Sequence, residues 1–409
     1  MSSVRAVLSR RNFQRFLAAR LISNFGNGMG TIALAFGILH MRGGSATELG
    51  IVVGSTSLAY LIVSPFGGVI ADRYGRIRMA AITDTWGGIV LLVQAIWFTT
   101  GHVPFWFLLF AQINFGVMWA IFWPALAGIV PALVDNEDHL MTGNALTQMT
   151  SNLMLILGSS IGGWIIATKG SSAALIIDSS TFIISGLMVL TLRHLTIAPE
   201  PNENTVIDDL LHGWKVFLSF RWIVIVVFGF SSVFMCWSAI DSVLGPLLAI
   251  KKFHGASSWA TIVAVEFFGY LAGSLIAIKV RPKYPMRFLL LGTYAICGYL
   301  IALAFSNSVW IIALFAFFFG INFDLWGAIW STSLQREVPK ESLSRVSAFD
   351  GMGTLLTRPI GVAVAAPLAG AIGLQSTFLW MAALCAIVIT AMLAFPAVWK
   401  MQLTDSIDS

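Results

Sequence analysis

Charge is the scarcest property of this chain. Only 11% of its residues are Asp, Glu, Lys or Arg, where an ordinary soluble domain carries roughly a quarter. Together with 57% hydrophobic residues and a mean hydropathy of +0.85, this excludes a water-exposed globule and leaves a polytopic membrane protein. The net charge of +5 does not mark a nucleic-acid binder, because the basic residues are spread over many short segments. Cysteine is nearly absent. Cys236, Cys297 and Cys385 all lie inside apolar runs without metal-ligand spacing, and they read as small core residues. The histidines, His40, His102, His139, His194, His212 and His254, fall at or beyond the ends of those runs and none pairs at ligand spacing, so no metal site is expected. No nucleophile–base pair, phosphate-cradling loop or cofactor motif occurs, which argues against an enzyme and against a bound cofactor. The basic N-terminus, with Arg5, Arg10, Arg11 and Arg15, leads into the first run without a small-residue cleavage site, so no cleavable signal peptide is expected.

What the chain has in abundance is long apolar runs. Twelve are long enough to cross a bilayer as helices: residues 12–39, 46–71, 79–100, 103–131, 140–168, 172–193, 219–249, 257–279, 286–306, 308–334, 343–371 and 373–398. Strands do not compete, since the runs are too long and lack sustained alternation. Of the 24 lysines and arginines, eighteen fall on one side of this layout, four on the other, and Arg20 and Arg358 inside runs. That bias places both termini in the cytoplasm and makes the number of spans even. The longest polar segment carries Pro199-Glu-Pro-Asn-Glu-Asn-Thr205. It reads as a cytoplasmic linker, residues 194–218, with a short amphipathic piece near Leu210–Phe217, between two six-span bundles at 1–193 and 219–409. The halves look like copies: Leu140-Met-Thr-Gly-Asn-Ala-Leu146 parallels Leu343-Ser-Arg-Val-Ser-Ala-Phe349, and the same offset of 203 carries Gly158 onto Gly361.

One charged loop stands out between the second and third runs, Gly68-Val-Ile-Ala-Asp72-Arg73-Tyr-Gly75-Arg76-Ile-Arg78. Gly68 and Asp72 share a helix face, Gly68 permitting a close neighbour and Gly75 a sharp turn. This stretch resembles the signature loop of the major facilitator superfamily of secondary transporters, Gly-x-x-x-Asp-Arg-x-Gly-Arg, at Gly68, Asp72, Arg73, Gly75 and Arg76, with Ile77 departing from the usual basic residue that follows. Phe122-Trp-Pro124-Ala-Leu-Ala-Gly-Ile-Val-Pro131-Ala-Leu-Val-Asp135, leading into Asn144-Ala-Leu146, resembles the branch holding enterobactin-type, macrolide and multidrug exporters. Gly158-Ser-Ser-Ile-Gly162-Gly163 resembles the antiporter motif of span five with Ser159 in the proline position. Gln112, four residues before Gly116, stands where exporters often have arginine, and Asn27 stands where many relatives have an acid.

The resemblance implies an all-α fold of twelve transmembrane helices in two pseudo-symmetric six-helix bundles, with a mid-membrane site exposed alternately to either face. It implies a gate in which Asp72 faces the start of span eleven, around Ser342–Arg345. Charges buried in spans are costly, at least ~2.5 kcal/mol for an arginine on insertion scales. Glu266, Asp324 and Arg358 lie deep in spans eight, ten and eleven, so we expect them to form one cluster, used either for proton coupling or as a fixed ion pair. Arg20 and Asp84 are expected to pair inside the first half. Asp350 is assigned to the cytoplasmic gate, and Asp178 and Asp241 are placed near outer span ends in reach of water. The cavity is expected to draw on Asn24, Asn27, Phe36, Gln112, Asn114, Trp119, Phe122 and Trp123 from the first half. Phe234, Trp237, Asn322, Phe323, Trp326 and Trp330 serve it from the second. Aromatics with a few amides suit a bulky, apolar or amphipathic solute.

The expected function is proton-coupled efflux of such a solute, a drug or natural product, across the plasma membrane. An importer or lipid-type flippase of the same fold, and a non-transporting receptor, remain as alternatives. Expected partners are the small-molecule substrate, protons and the lipid bilayer, without nucleic acid, and the expected working unit is a monomer.

Overall fold

The computed structural model describes residues 2–127, 129–134, 137–193, 214–277, 279–280, 282–338 and 340–402. Among the described residues all regular structure is helical, and twelve helices are long and apolar enough to cross a membrane. Spans one to six are Arg11–His40, Ala46–Ala71, Arg76–Thr99, Phe105–Leu126, Thr142–Lys169 and Ser171–Leu190. Spans seven to twelve are Arg221–Lys252, Ala256–Ala277, Pro285–Phe305, Val309–Glu337, Phe349–Ile372 and Leu374–Ala394. Each overlaps one expected run, because every backbone N–H and C=O in hydrocarbon must be satisfied within its own helix and the apolar run marks where that holds.

The ends follow local chemistry. Ser45 caps span two, its hydroxyl accepting from the Glu48 N–H at 3.1 Å. Gly75, at φ +91°, separates the helix Ala46–Tyr74 from span three, as the loop pattern requires. Gly170 and Gly373 both adopt φ +85° between spans five and six and between spans eleven and twelve. They lie the same 203 residues apart as the repeated segments.

The chain divides into two units, Met1–Glu200 with Ser242–Ala264, and Pro201–Asp241 with Val265–Ser409. In the first unit, span one packs on spans five and six, span two on span four, and span three on span six. The seams are made by glycines, since apolar tails outside give side chains no hydrophobic incentive to bury and backbones gain by approaching closely. A Cβ on Gly28 would strike Leu155 and Ser159 of span five, and one on Gly158 would strike Phe25 of span one. A Cβ on Gly116 would strike the Thr56 carbonyl of span two. The tight contact expected of Gly68 belongs instead to its neighbour. A Cβ on Gly67 would meet the Ala120 carbonyl of span four, whereas one on Gly68 would sit 3.9 Å from Pro124 Cβ, an ordinary contact.

In the second unit, span seven packs on spans eleven and twelve, and span nine on spans ten and twelve. Gly269 of span eight and Gly320 of span ten interlock, each facing the other helix's backbone. Three spans are interrupted, span nine at Tyr294 between the helices Pro285–Thr293 and Ala295–Phe305, and two more beside a proline. Span seven passes through a π-turn, Ile240–Leu244, just before Gly245 and Pro246. Span eleven breaks after the helix Lys340–Leu355 and restarts at Arg358–Ile372 with Pro359 in its first turn. In both places a proline lacks the N–H that would bond back to the preceding turn. The expected amphipathic piece is helical over residues 214–219, where Trp214 stacks on Phe217 at 5.6 Å and tilts against Phe349 at 5.2 Å. The linker residues 194–213, Asp135, and the side chains of Asp72 and of Ser342–Arg345 lie outside the described residues, so the expected gate contact is not described.

Candidate transport site

The second unit gathers charge at two of its helix interruptions. Asp241 sits in the π-turn of span seven, and Arg358 opens the second half of span eleven. The break in span eleven is tied to span seven by Thr357, whose hydroxyl donates to the Ser231 carbonyl at 2.7 Å. Asp241 lies within electrostatic range of Arg358 and of Glu266. Glu266, 5% exposed, accepts from the Trp237 indole N–H at 2.9 Å and the Tyr270 hydroxyl at 2.6 Å on the same oxygen, Oε1. Glu266 and Arg358 are therefore each electrostatic neighbours of Asp241. Asp324 does not join them. Its Oδ2 accepts from Ser274 at 2.6 Å, about 12 Å along span eight from Glu266 at 1.5 Å per residue.

An aromatic wall adjoins this group. Trp237 packs on Phe234 at 5.2 Å and on Phe323 at 5.1 Å, and Phe323 in turn meets Tyr270 at 5.5 Å. Phe230 lies 4.6 Å from Trp326, and Trp326 5.9 Å from Trp330. A cleft of about 320 Å³ opens along Phe230, Phe234, Phe323, Trp326 and Trp330, with Asp350 also in its lining. Polar handles hold the rings. Trp326 Nε1 donates to Thr293 Oγ1 at 2.7 Å, Thr293 to Asn322 Oδ1 at 3.1 Å, and Trp330 Nε1 to Asp350 Oδ2 at 2.9 Å. Asp350, assigned to the gate, is thus part of the cleft wall. Rings fixed by both packing and hydrogen bonds offer flat apolar faces at little entropic cost, as a site for a bulky apolar or amphipathic solute needs.

In the first unit several expected cavity residues are structural. Phe36 is fully buried and stacks on His40 at 5.8 Å, which makes it a core residue and corrects its assignment to the cavity. Gln112 is buried and accepts from Thr56 at 2.9 Å across the seam of spans two and four. Asn24 is buried between Arg20, which donates to it at 3.1 Å, and Ser151, to which it donates at 2.7 Å. Arg20 and Asp84 meet as expected, with Nη1 to Oδ2 at 3.9 Å, Ser185 donating to the same oxygen at 2.7 Å and the guanidinium 4.9 Å over the Phe122 ring. Asn27 and Trp119 are half-buried, and Trp119 meets Phe115 edge-on at 6.3 Å. Asn114 donates to the Phe110 carbonyl at 2.8 Å, and Trp123 is half exposed beside Phe122 at 5.8 Å.

Three features escaped the sequence. Asp241 and Asp178 were placed at water-accessible ends. Asp241 instead neighbours Arg358, and Asp178 is 3% exposed. The three cysteines converge from spans seven, nine and twelve, with Cys236 and Cys385 hydrogen-bonded to each other and Cys297 nearby. Pro246 and Pro359 were the available signals for the first, since they mark where a span is interrupted and where a charge can be hosted.

Comparison with known proteins agrees with this architecture. Residues 16–357 match the family model of the Major Facilitator Superfamily. The multidrug efflux pump Tap of Mycolicibacterium fortuitum is 24% identical over 385 residues, 89% of this chain and 90% of that one. The enterobactin exporter EntS of Salmonella typhimurium is 29% identical over 373 residues, 89% of this chain and 86% of that one. The crystal structure of the nucleoside transporter NupG superposes with a TM-score of 0.74 at 16% identity, covering 96% of this chain and all of that one, which speaks for the fold alone. The chain is a multi-pass membrane transporter of the Major Facilitator Superfamily, similar in sequence to members of its exporter branch.

Proposed function

We propose that the chain exports bulky apolar or amphipathic small molecules, of the drug or natural-product kind, in exchange for protons. It acts by alternating access as a monomer in the plasma membrane, with both termini in the cytoplasm. The names of Tap and EntS support the direction and the solute class. One observation carries the coupling: Trp237 belongs at once to the aromatic wall and to the donor pair on Glu266. A solute packed on that wall presses the indole N–H onto the acid. A buried carboxylate held by its donor is less costly as an anion, so solute binding favours proton release and the two occupancies oppose each other. Arg358 and Asp241 hold the opposing charges that let Glu266 cycle.

The test is Glu266→Gln in inverted vesicles supplied with a panel of dyes and antibiotics. Proton-driven accumulation is expected to fall at least tenfold while solute binding persists. Full coupling in a normally expressed variant removes Glu266 from the mechanism. Import on the same fold is the second reading, favoured by Asn27, Gln112 and Ser159 at three positions where the exporter pattern has other residues. It predicts accumulation with the opposite sidedness. Binding without flux in any vesicle orientation would identify a receptor.

A further inference from the structure

Span one is notched on the side that faces span six. A Cβ on Gly26 would strike Asp178 Oδ1 and the Thr181 hydroxyl, and a Cβ on Gly30 would strike Asp178 Oδ2. The two glycines are four residues apart and lie on one helix face, so the carboxyl group of Asp178 lies flat against bare backbone. It is seven residues into span six from Ser171, about 10 Å from that end. At 3% exposure it has no hydrogen-bond partner for Oδ1 among the described residues. The Thr181 hydroxyl is spent on the Asp178 backbone carbonyl at 2.6 Å.

Among the described residues no cation pairs with it. On span one, Arg20 lies six residues before Gly26 and is committed to Asp84 and Asn24. His40 lies ten residues beyond Gly30, with Nδ1 on the Phe36 carbonyl. On span three, Arg76 and Arg78 lie at the helix start and Asp84 is held by Arg20 and Ser185. On span five it is Lys169, at the helix end. A bare carboxylate there would have the neighbouring Thr181 hydroxyl but no counter-ion among the described residues, too little for a buried charge, whereas the neutral acid fits it.

We propose that Asp178 is a proton-binding site that clamps span one to span six. With the proton on, the neutral carboxyl seats in the Gly26/Gly30 notch. When its O–H bond breaks heterolytically, the electron pair stays on the carboxylate and the proton passes to water. The anion must then leave the notch to be hydrated, and the helices part. The site is distinct from the Glu266 group in the other unit and does not depend on the direction of transport or on the solute.

The test uses the full chain in lipid nanodiscs and does not measure transport. Infrared difference spectra between low and high pH read the carboxylic-acid C=O band directly. Spin labels at Arg42→Cys and Ser172→Cys, with the three native cysteines replaced, read the separation of spans one and six. Wild type is expected to show a protonated-carboxyl band that is lost as pH rises, together with a longer inter-label distance. Asp178→Asn, which keeps the shape of the neutral acid, is expected to lose the Asp178 component of that band and hold the short distance at every pH. Gly30→Ala, which fills the notch, is expected to show the long distance throughout. Carboxylic-acid bands identical in wild type and Asp178→Asn, or an inter-label distance in wild type that ignores pH, overturn the proposal.

Discussion

Arg20 and Asp84 bury opposite charges among apolar neighbours as an ion pair at 3.9 Å, Arg20 also donating to Asn24 and Asp84 accepting from Ser185. Removing one partner leaves the other charge buried without its counter-ion, so Arg20→Leu should cost about 3 kcal/mol of stability. Arg20→Leu with Asp84→Asn should recover most of that loss, as a shift in the thermal midpoint of the purified protein in micelles will show. At the wall of the cleft, Trp237→Phe keeps the ring and deletes the N–H to Glu266. Loss of one donor to an acid is worth about 1.5–3 kcal/mol, so solute should still bind while solute-induced proton release falls about tenfold, measured with a pH dye in lightly buffered solution. At this scale the sequence was partly readable. The Arg20–Asp84 pair could be foreseen because few in-span charges exist and those two lie at similar depth. Asp178 could not, because its burial depends on which face of span six meets span one, and a span that is apolar all round carries no periodicity to say so.

Interruptions and glycine seams do at the element scale what charges do at the residue scale. Pro359 ends the hydrogen-bond ladder ahead of Arg358. Pro359→Ala should allow span eleven to continue unbroken and withdraw Arg358 from Asp241, raising thermal stability while lowering turnover several-fold in vesicles. Gly67 and Gly68 provide a paired comparison within one helix. Gly67→Ala drives a methyl group into the Ala120 carbonyl and should destabilise by about 1–3 kcal/mol, as overpacking does, while Gly68→Ala should stay within about 0.5 kcal/mol. Equal losses in the two variants, judged by thermal midpoint, would contradict the seam described between spans two and four. The motif drew attention to the right turn of helix, and a one-residue rotation about the axis, invisible in the text of the sequence, decided which glycine is in contact.

For the whole molecule, twelve runs of apolar residues were legible because hydrocarbon thickness sets a minimum length that no loop here satisfies. The helix partners were not, since an all-apolar surface leaves small-residue placement as the guide to pairing. An even number of crossings and the Lys and Arg bias underlie the proposal that both termini lie in the cytoplasm. Reporter domains fused at Met1 and after Ser409 should both be inaccessible to protease in intact cells and digested in opened ones. Asp72→Asn should insert normally and transport poorly in the same cells, and normal turnover would exclude the gating role.

The sulfur inventory has a practical corollary. Every sulfhydryl in the chain belongs to the second unit, and Cys236 and Cys385 are shut away inside it. A fluorogenic maleimide added during slow heating will therefore remain dark at those two thiols until that bundle loosens. The first bundle can melt without tripping the signal, so comparing the dye trace with circular dichroism tells which half of the transporter gives way first.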